Sequence, residues 1–174
     1  MKINNCRNCK KKKLEYLFSF GKICFTGKFP SKGKNIKKAP LTLVMCKKCK
    51  LVQLANKFNL KYLYGPDYGY RSNVSKTMVS HLRKVVLYSS KKVKLQSNDL
   101  VLDIASNDAT LLKNYPKKIK TFGIDPLVSK YRKEYKNIDF KISNFFSFKE
   151  IRKKTKKNFK IIKALSVFYD LEKP

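Results

Sequence analysis

Apolar and polar positions change period along the chain, and each change marks a different kind of structure. In the first 66 residues the apolar positions come in short runs. Pro40-Leu41-Thr42-Leu43-Val44-Met45 and Leu51-Val52-Gln53-Leu54 flank a tight polar turn and predict two strands of a hairpin. Phe18-Ser19-Phe20-Gly21, ending in glycine, predicts a loop. From Asn73 to about Lys94 the period becomes helical. Val74, Met78, Leu82, Val85, Val86 and Val93 share one face, with Ser72 or Asn73 as N-cap.

A turn at Ser97-Asn98-Asp99 leads into Leu100-Val101-Leu102-Asp103-Ile104, which reads as a short buried strand. Small polar residues follow, and Leu111-Leu112 open a helix that Pro116 stops. Thr121–Pro126 predicts a second strand ending in Asp125, and Leu127–Tyr135 a short helix. Phe140–Ser143 predicts a third strand, Ile151–Lys157 a basic helix, and Phe159–Val167 a fourth strand. This alternation argues for a parallel sheet with right-handed crossovers, an α/β fold. The expected organisation is a small domain over residues 1–66, a tyrosine-rich linker and amphipathic helix over 67–98, and the sheet over 99–174.

Charge complicates this picture without changing it. The chain has 42 basic and 11 acidic residues, a net charge of +31. Such a surface suggests a nucleic-acid partner, because phosphate contacts release counterions. Lysine supplies 37 of the 42 basic residues, however, whereas base and phosphate recognition favours the planar fork of arginine. The lysines are also spread along the chain. Abundant Lys, Asn, Ile, Phe and Tyr would follow from an A/T-rich genome without any partner. Non-specific nucleic-acid binding at low salt is the expectation. With no apolar run of about 18 residues and no apolar stretch near Met1, neither a membrane partner nor a signal peptide is expected. A cytoplasmic protein is the default.

The cysteines carry the clearest chemistry. Cys6-Arg7-Asn8-Cys9 and Cys46-Lys47-Lys48-Cys49 are two pairs with two-residue spacing, separated by 36 residues. Each pair can grip a metal from a tight knuckle, and two knuckles complete a tetrahedral four-thiolate zinc site of the zinc-ribbon kind. Disulfides fit a cytosolic chain poorly, and a redox pair would leave the second pair unused. An all-thiolate site is closed and structural. Cys24 is left over and reads as a buried free thiol. His81, the single histidine, reads as a helix-surface or partly buried imidazole. The tyrosines of residues 62–72 could line a pocket or pack the small domain.

The turn after Leu100–Ile104 has the layout of a nucleotide-type cofactor site, beyond the carboxyl end of a strand in an open α/β sheet. Asp125 follows Asp103 by 22 residues, where a ribose-binding carboxylate belongs after the second strand. No G-x-G-x-x-G follows the opening strand, which argues against a nicotinamide-dependent dehydrogenase.

An ordered set of pieces resembles the SAM-dependent C-methyltransferases with an N-terminal zinc-binding domain, of the kind acting on deoxysugars. The pieces are Cys6-x-x-Cys9, Pro40-Leu41 to Cys46-x-x-Cys49, Leu51-Val52-Gln53-Leu54, and Tyr68-x-Tyr70-x-Ser72-x-x-Ser75-x-Thr77-Met78 with His81-Leu82. Then come the stretch from Leu100 to Leu112, Gly123-Ile124-Asp125-Pro126, and Phe168-Tyr169-Asp170-Leu171-Glu172-x-Pro174. The resemblance implies zinc on Cys6, Cys9, Cys46 and Cys49. It implies a class I methyltransferase sheet of Rossmann type, incomplete here. Asp103, Ala105, Asn107, Asp108 and Ala109 would face the methionine end of S-adenosylmethionine, and Asp125 its ribose. Asn144 and Phe145 would lie near adenine, with Tyr68 and Tyr70 toward the sugar. The implied substrate is a nucleotide-linked deoxysugar.

Two departures from the family pattern stand out. The family turn reads Asp-Ile-Gly-Ser-Asn-Asp-Gly, and here Ala105 and Ala109 replace both glycines. If those positions are left-handed, each alanine costs about 1–2 kcal/mol. The chain also stops after the fourth strand, without the family's later strands and His-Glu-His segment. The expectation is an N-terminal portion without catalytic residues of its own, inactive alone or completed by a second polypeptide. The alternative is a zinc-ribbon protein that binds nucleic acid through its basic surface.

Overall fold

The structure is a computed structural model and describes residues 1–29 and 35–170. The chain divides into two compact units, Met1–Gly69 and the segment from Tyr70 onward.

The first unit is a three-stranded antiparallel sheet in the order β1-β2-β3. Its strands are β1 (Leu14–Cys24), β2 (Lys38–Cys46) and β3 (Val52–Leu54). The hairpin of β2 and β3 is the one the apolar runs predict, with Val44 opposite Gln53 and Met45 opposite Val52. Strand β1 corrects the expectation of a loop at Phe18–Gly21. It pairs with β2 over eleven residues, and shifts of register after Tyr16 and Ser19 break its alternation. A bulged strand loses the two-residue period by which a sequence reveals it. Cys24 ends this strand exposed, not buried. One side of the sheet carries a small core of Ile3, Val44 and Ala55, with Leu14 against it. A four-residue helix, α1 (Leu60–Leu63), follows, its first turn capped by the Asn59 side chain.

The second unit contains a four-stranded sheet in the order β6-β5-β4-β7, parallel throughout. Its strands are β4 (Leu100–Ile104), β5 (Lys120–Ile124), β6 (Phe140–Ile142) and β7 (Ile161–Lys163). Strands β4 and β5 are central and buried; β4 reads as an apolar run broken by Asp103, while β5 carries Lys120 and Thr121 ahead of Phe122-Gly123-Ile124. Leu100, Leu102, Phe122, Ile124 and Ile151 form the core on one face.

Helix α2 (Lys76–Val93) starts later than the sequence suggests. Ser75 caps it by accepting from the Met78 N–H, and Ser72–Val74 form a 3-10 turn before it. Leu82 and Val86 are its buried residues, while Val74 is 77% exposed and off the buried face. After β4 the chain makes only a 3-10 turn at Leu112–Asn114. Residues 126–137 are a run of turns, not the expected helix. Leu127, Val128, Tyr131, Tyr135 and Ile138 are nevertheless buried at helical spacing. Their backbone bonds mix three- and four-residue closures, such as Tyr131 N–H to Leu127 O and Glu134 N–H to Tyr131 O. Helix α3 (Phe148–Lys154) begins three residues earlier than expected because Ser147 caps it. The fourth strand contracts to Ile161–Lys163 and lies at the sheet edge, with Ile162 60% exposed. Leu171, Glu172 and Pro174 of the family-like terminal segment lie outside the described residues.

Candidate functional site

Among the described residues, each unit holds a candidate site. In the first, the Sγ atoms of Cys6, Cys9, Cys46 and Cys49 lie within 4.8 Å of one another. Cys6 and Cys49 are 3.5 Å apart, as are Cys9 and Cys46. A tetrahedral ion with Zn–S bonds of about 2.3 Å requires S···S separations of roughly 3.8 Å, so the donor set fits zinc.

The two knuckles repeat one backbone scheme. The Cys6 N–H donates to Lys11 O and the Lys10 N–H to Cys6 O, at 2.8 and 3.0 Å. The Cys46 N–H donates to Leu51 O and the Lys50 N–H to Cys46 O, both at 2.9 Å. The residue closing each loop is left-handed, Lys10 at φ 61° and Lys50 at φ 60°. A Lys47 N–H to Lys13 O bond of 3.0 Å joins the knuckles.

Burial raises the Cys6 thiol, but N–H groups of Cys9 and Asn8 and the Gln53 side chain outweigh it and lower the pKa to about 6. Backbone hydrogen bonding from Cys49 lowers Cys46. Cys9 rises to about 11. There the Lys11 N–H pulls it down, while burial and the neighbouring thiols push it up. The buried Gln53 side chain lies beside Cys6, and its oxygen accepts from the Arg7 N–H at 2.9 Å. An amide donor beside Cys6 suits a thiolate held by a metal.

The second site is the turn beyond β4, built on three left-handed residues. Ala105, Asn107 and Ala109 have φ of 58°, 49° and 61°. Both positions where the family has glycine are therefore backbone conformations that glycine adopts freely and alanine does not. Ala105 is exposed and Ala109 fully buried. Hydrogen bonds hold the turn in place. The Ala105 N–H donates to Ile124 O at 2.9 Å. Asp125 is buried, and its carboxylate accepts from the N–H groups of Asn107 (2.9 Å) and Leu127 (2.7 Å). Burial raises the Asp125 pKa, and those two N–H groups oppose the rise. Tyr135 donates to Asn107 O at 2.9 Å and lies 2.7 Å from the Ser106 hydroxyl. Gly123 makes room for that contact. A Cβ there would stand 2.8 Å from the Tyr135 ring and 2.9 Å from Ser106 Oγ.

The segment Tyr70–Asn73 is fastened to this turn, which the sequence did not reveal. Asn107 accepts from the Ser72 N–H (3.2 Å) and donates to Tyr70 O (3.1 Å). Asp108, fully buried, accepts from the Asn73 N–H at 3.0 Å and from the Thr110 hydroxyl at 2.5 Å. Arg71 lies 3.7 Å from Asp108 and 3.0 Å from Glu134, its guanidinium 4.9 Å from the Tyr131 ring centre. The available signal was two adjacent polar side chains in a buried turn, which must find partners.

Asp103 points into the sheet's other side, next to Lys163 of β7 in the register. Burial pushes its pKa up to about 8 against the pull of Lys163. Lys163 is itself buried and donates to Ser89 Oγ (2.6 Å) and Val85 O (3.1 Å) of α2. Burial lowers its pKa, and Asp103 opposes that. An inward-facing lysine in a lysine-rich chain gives no signal of its own.

Asn144 is exposed, its side chain bonded to the Phe145 N–H at 2.8 Å, and Phe145 is half-buried, both just beyond β6. Tyr70 is 42% exposed. Tyr68 belongs to the first unit, in a β-bridge with Lys28 and 5.1 Å from the Tyr64 ring. His81 is exposed on α2.

Residues 6–64 match a methyltransferase-associated family model (Methyltransf_13) described as "Putative zinc binding domain". The chain is also similar to the C-methyltransferase NovU of Streptomyces niveus, at 26% identity over 130 residues. That alignment covers 71% of this chain and 30% of the relative, so the chain spans about three-tenths of the protein it matches. Residues 6–64 are thus similar to a "putative zinc binding domain", and the chain as a whole is distantly similar to part of a C-methyltransferase.

Proposed function

We propose that this chain is the zinc-binding and cofactor-binding portion of a SAM-dependent C-methyltransferase acting on a nucleotide-linked deoxysugar. The observation that carries the reading is a parallel sheet in the order third-second-first-fourth, with a left-handed polar turn beyond its first strand and Asp125 beyond its second. In such sheets ligand binds outside the carboxyl ends of the strands. Relatedness to a C-methyltransferase supplies the reaction class.

S-adenosylmethionine, when bound, supplies a methyl group to a carbon nucleophile. The residues of this chain would hold and orient it. Asp125 spends one lone pair of each oxygen on the turn, so lone pairs remain for ribose hydroxyls. Asn144 and Phe145 are placed beyond the third strand, where adenine would lie. Tyr70 begins the segment fastened to the turn, through its carbonyl and Asn107. Zinc on Cys6, Cys9, Cys46 and Cys49 is structural. Methyl transfer also needs a general base and close alignment of donor and acceptor. No residue of this chain is assigned that base. We propose that further polypeptide, continuous with this chain or separate, supplies it together with strands beyond β7.

Calorimetric titration of the zinc-loaded chain with S-adenosylmethionine tests the reading. Saturable heat that Asp125→Ala abolishes supports it. Absence of heat at roughly millimolar ligand, in both the native chain and Ala105→Gly/Ala109→Gly, removes cofactor binding.

A further inference from the structure

The three-stranded sheet of the first unit has two unlike sides. Strand residues alternate between them, so the register assigns each side. Val44, Gln53 and the small core lie on one. Phe18 opposite Leu43, Leu43 opposite Leu54, and Met45 opposite Val52 lie on the other. Phe20 stacks edge-on against Phe18 with ring centres 4.6 Å apart, and Ile23 opposite Ala39 extends the same side. Phe18, Phe20, Ile23 and Val52 are 43%, 60%, 39% and 49% exposed. No lysine falls among these positions, although 37 of 174 residues are lysine. Glu15, opposite Met45, is the one charge.

The ends of the sheet are the reverse. Lys10, Lys11, Lys12 and Lys13 are exposed on one knuckle and Lys47, Lys48 and Lys50 on the other, and the Lys47–Lys13 bond joins the groups. Lys22, Lys37 and Lys38 are exposed toward the far end. Glu15 and Asp67 are the only acids in the first 69 residues.

We propose that this face docks on an anionic lipid surface, the apolar side entering the interface and the lysine ends engaging head groups. An exposed apolar patch rimmed by polar residues marks a protein or membrane contact. Three features favour lipid. Protein interfaces favour arginine over lysine and need a hydrogen bond about every 100–200 Å². Here the cations are lysines, and the face carries no hydrogen-bonding side chain apart from Glu15. Clustered lysines near an apolar anchor are what an anionic leaflet attracts. A cavity of about 420 Å³ lined by Ile3, Tyr16 and Val44 opens on the other side of the sheet. Sequence excludes a span by the length of apolar runs, a criterion that does not bear on a sheet lying flat.

Co-sedimentation of the zinc-loaded chain with vesicles tests this. Binding is expected to phosphatidylcholine vesicles containing phosphatidylglycerol and not to phosphatidylcholine alone. Phe18→Ser/Phe20→Ser, with its zinc content intact, should bind about tenfold more weakly. Tyr16→Ser, opposite Val44 on the other side, should bind as the native chain does. If the double variant binds undiminished, the lysines act alone and the proposal fails. It fails equally if no vesicle is bound. It fails too if the double variant loses affinity for a single-stranded oligonucleotide and not for vesicles, since the face would then stack bases.

Discussion

The zinc knuckles and the β4 turn solve one backbone problem in different ways. Both need left-handed residues, and neither uses glycine. The knuckles place lysine at φ 61° and 60°, and the turn places alanine at φ 58° and 61°. In the knuckles the strain, about 1–2 kcal/mol per residue, is set against metal ligation worth roughly 10–16 kcal/mol. In the turn it is set against hydrogen bonds worth about 1 kcal/mol each. A knuckle can therefore accept any residue that keeps the thiolates in place. The turn depends on every one of its partners, and this explains why Asn107, Asp108, Asp125 and Tyr135 are all bonded.

The largest difference should appear when each region loses one anchoring group. Cys46→Ser should forfeit much of the roughly 10–16 kcal/mol of ligation and unfold the first unit, read as loss of bound zinc and of sheet signal. The second unit should keep its structure. Asp108→Ala removes the acceptor of the Asn73 N–H and leaves the buried Thr110 N–H and hydroxyl unpaired. It should cost about 3 kcal/mol in denaturant unfolding of the second unit without changing zinc content.

The units also separate by pH. Asp103 has its pKa raised from 3.8 to about 8 by burial. Between those values the folded state binds the proton that the unfolded state releases, so stability falls as pH rises from about 4 to about 8. Unfolding midpoints of the second unit should decline across that range, and Asp103→Asn should flatten the decline. An unchanged slope in the variant would show that other groups set it.

The smallest effects lie in the left-handed alanines. Ala105→Gly, at an exposed position, should stabilise the second unit by about 1 kcal/mol. Ala109→Gly relieves the same strain but uncovers a buried methyl worth about 0.8 kcal/mol, so its net gain should be near zero. Equal gains at both positions would mean that Ala109 does not pack as the structure has it.

The same contrast governs what the sequence disclosed. The zinc site was legible because two Cys-x-x-Cys pairs leave little else to build, and the structure brings all four thiols together. Strand β4 was legible as an apolar run broken by Asp103 alone, and β5 through Phe122-Gly123-Ile124 ahead of Asp125. Strand β1 was not, since its bulges destroy alternation and its surface stays exposed. At residues 126–137 the apolar spacing reported which side faces the core, not whether each carbonyl closes a regular helical bond. The fastening of Tyr70–Asn73 to the turn was hidden because its hydrogen bonds use backbone groups of one partner. Left-handed alanines were foreseen only as a condition, since sequence alone does not fix φ.

The contrast between a metal-held and a hydrogen-bond-held region is tested most directly by hydrogen exchange before and after zinc is chelated from the intact chain. Removal of the ion should abolish amide protection across β1, β2 and β3 and leave β4, β5 and the Asn107 amide protected. Protection that persists in the first unit, or collapses in both, would contradict it.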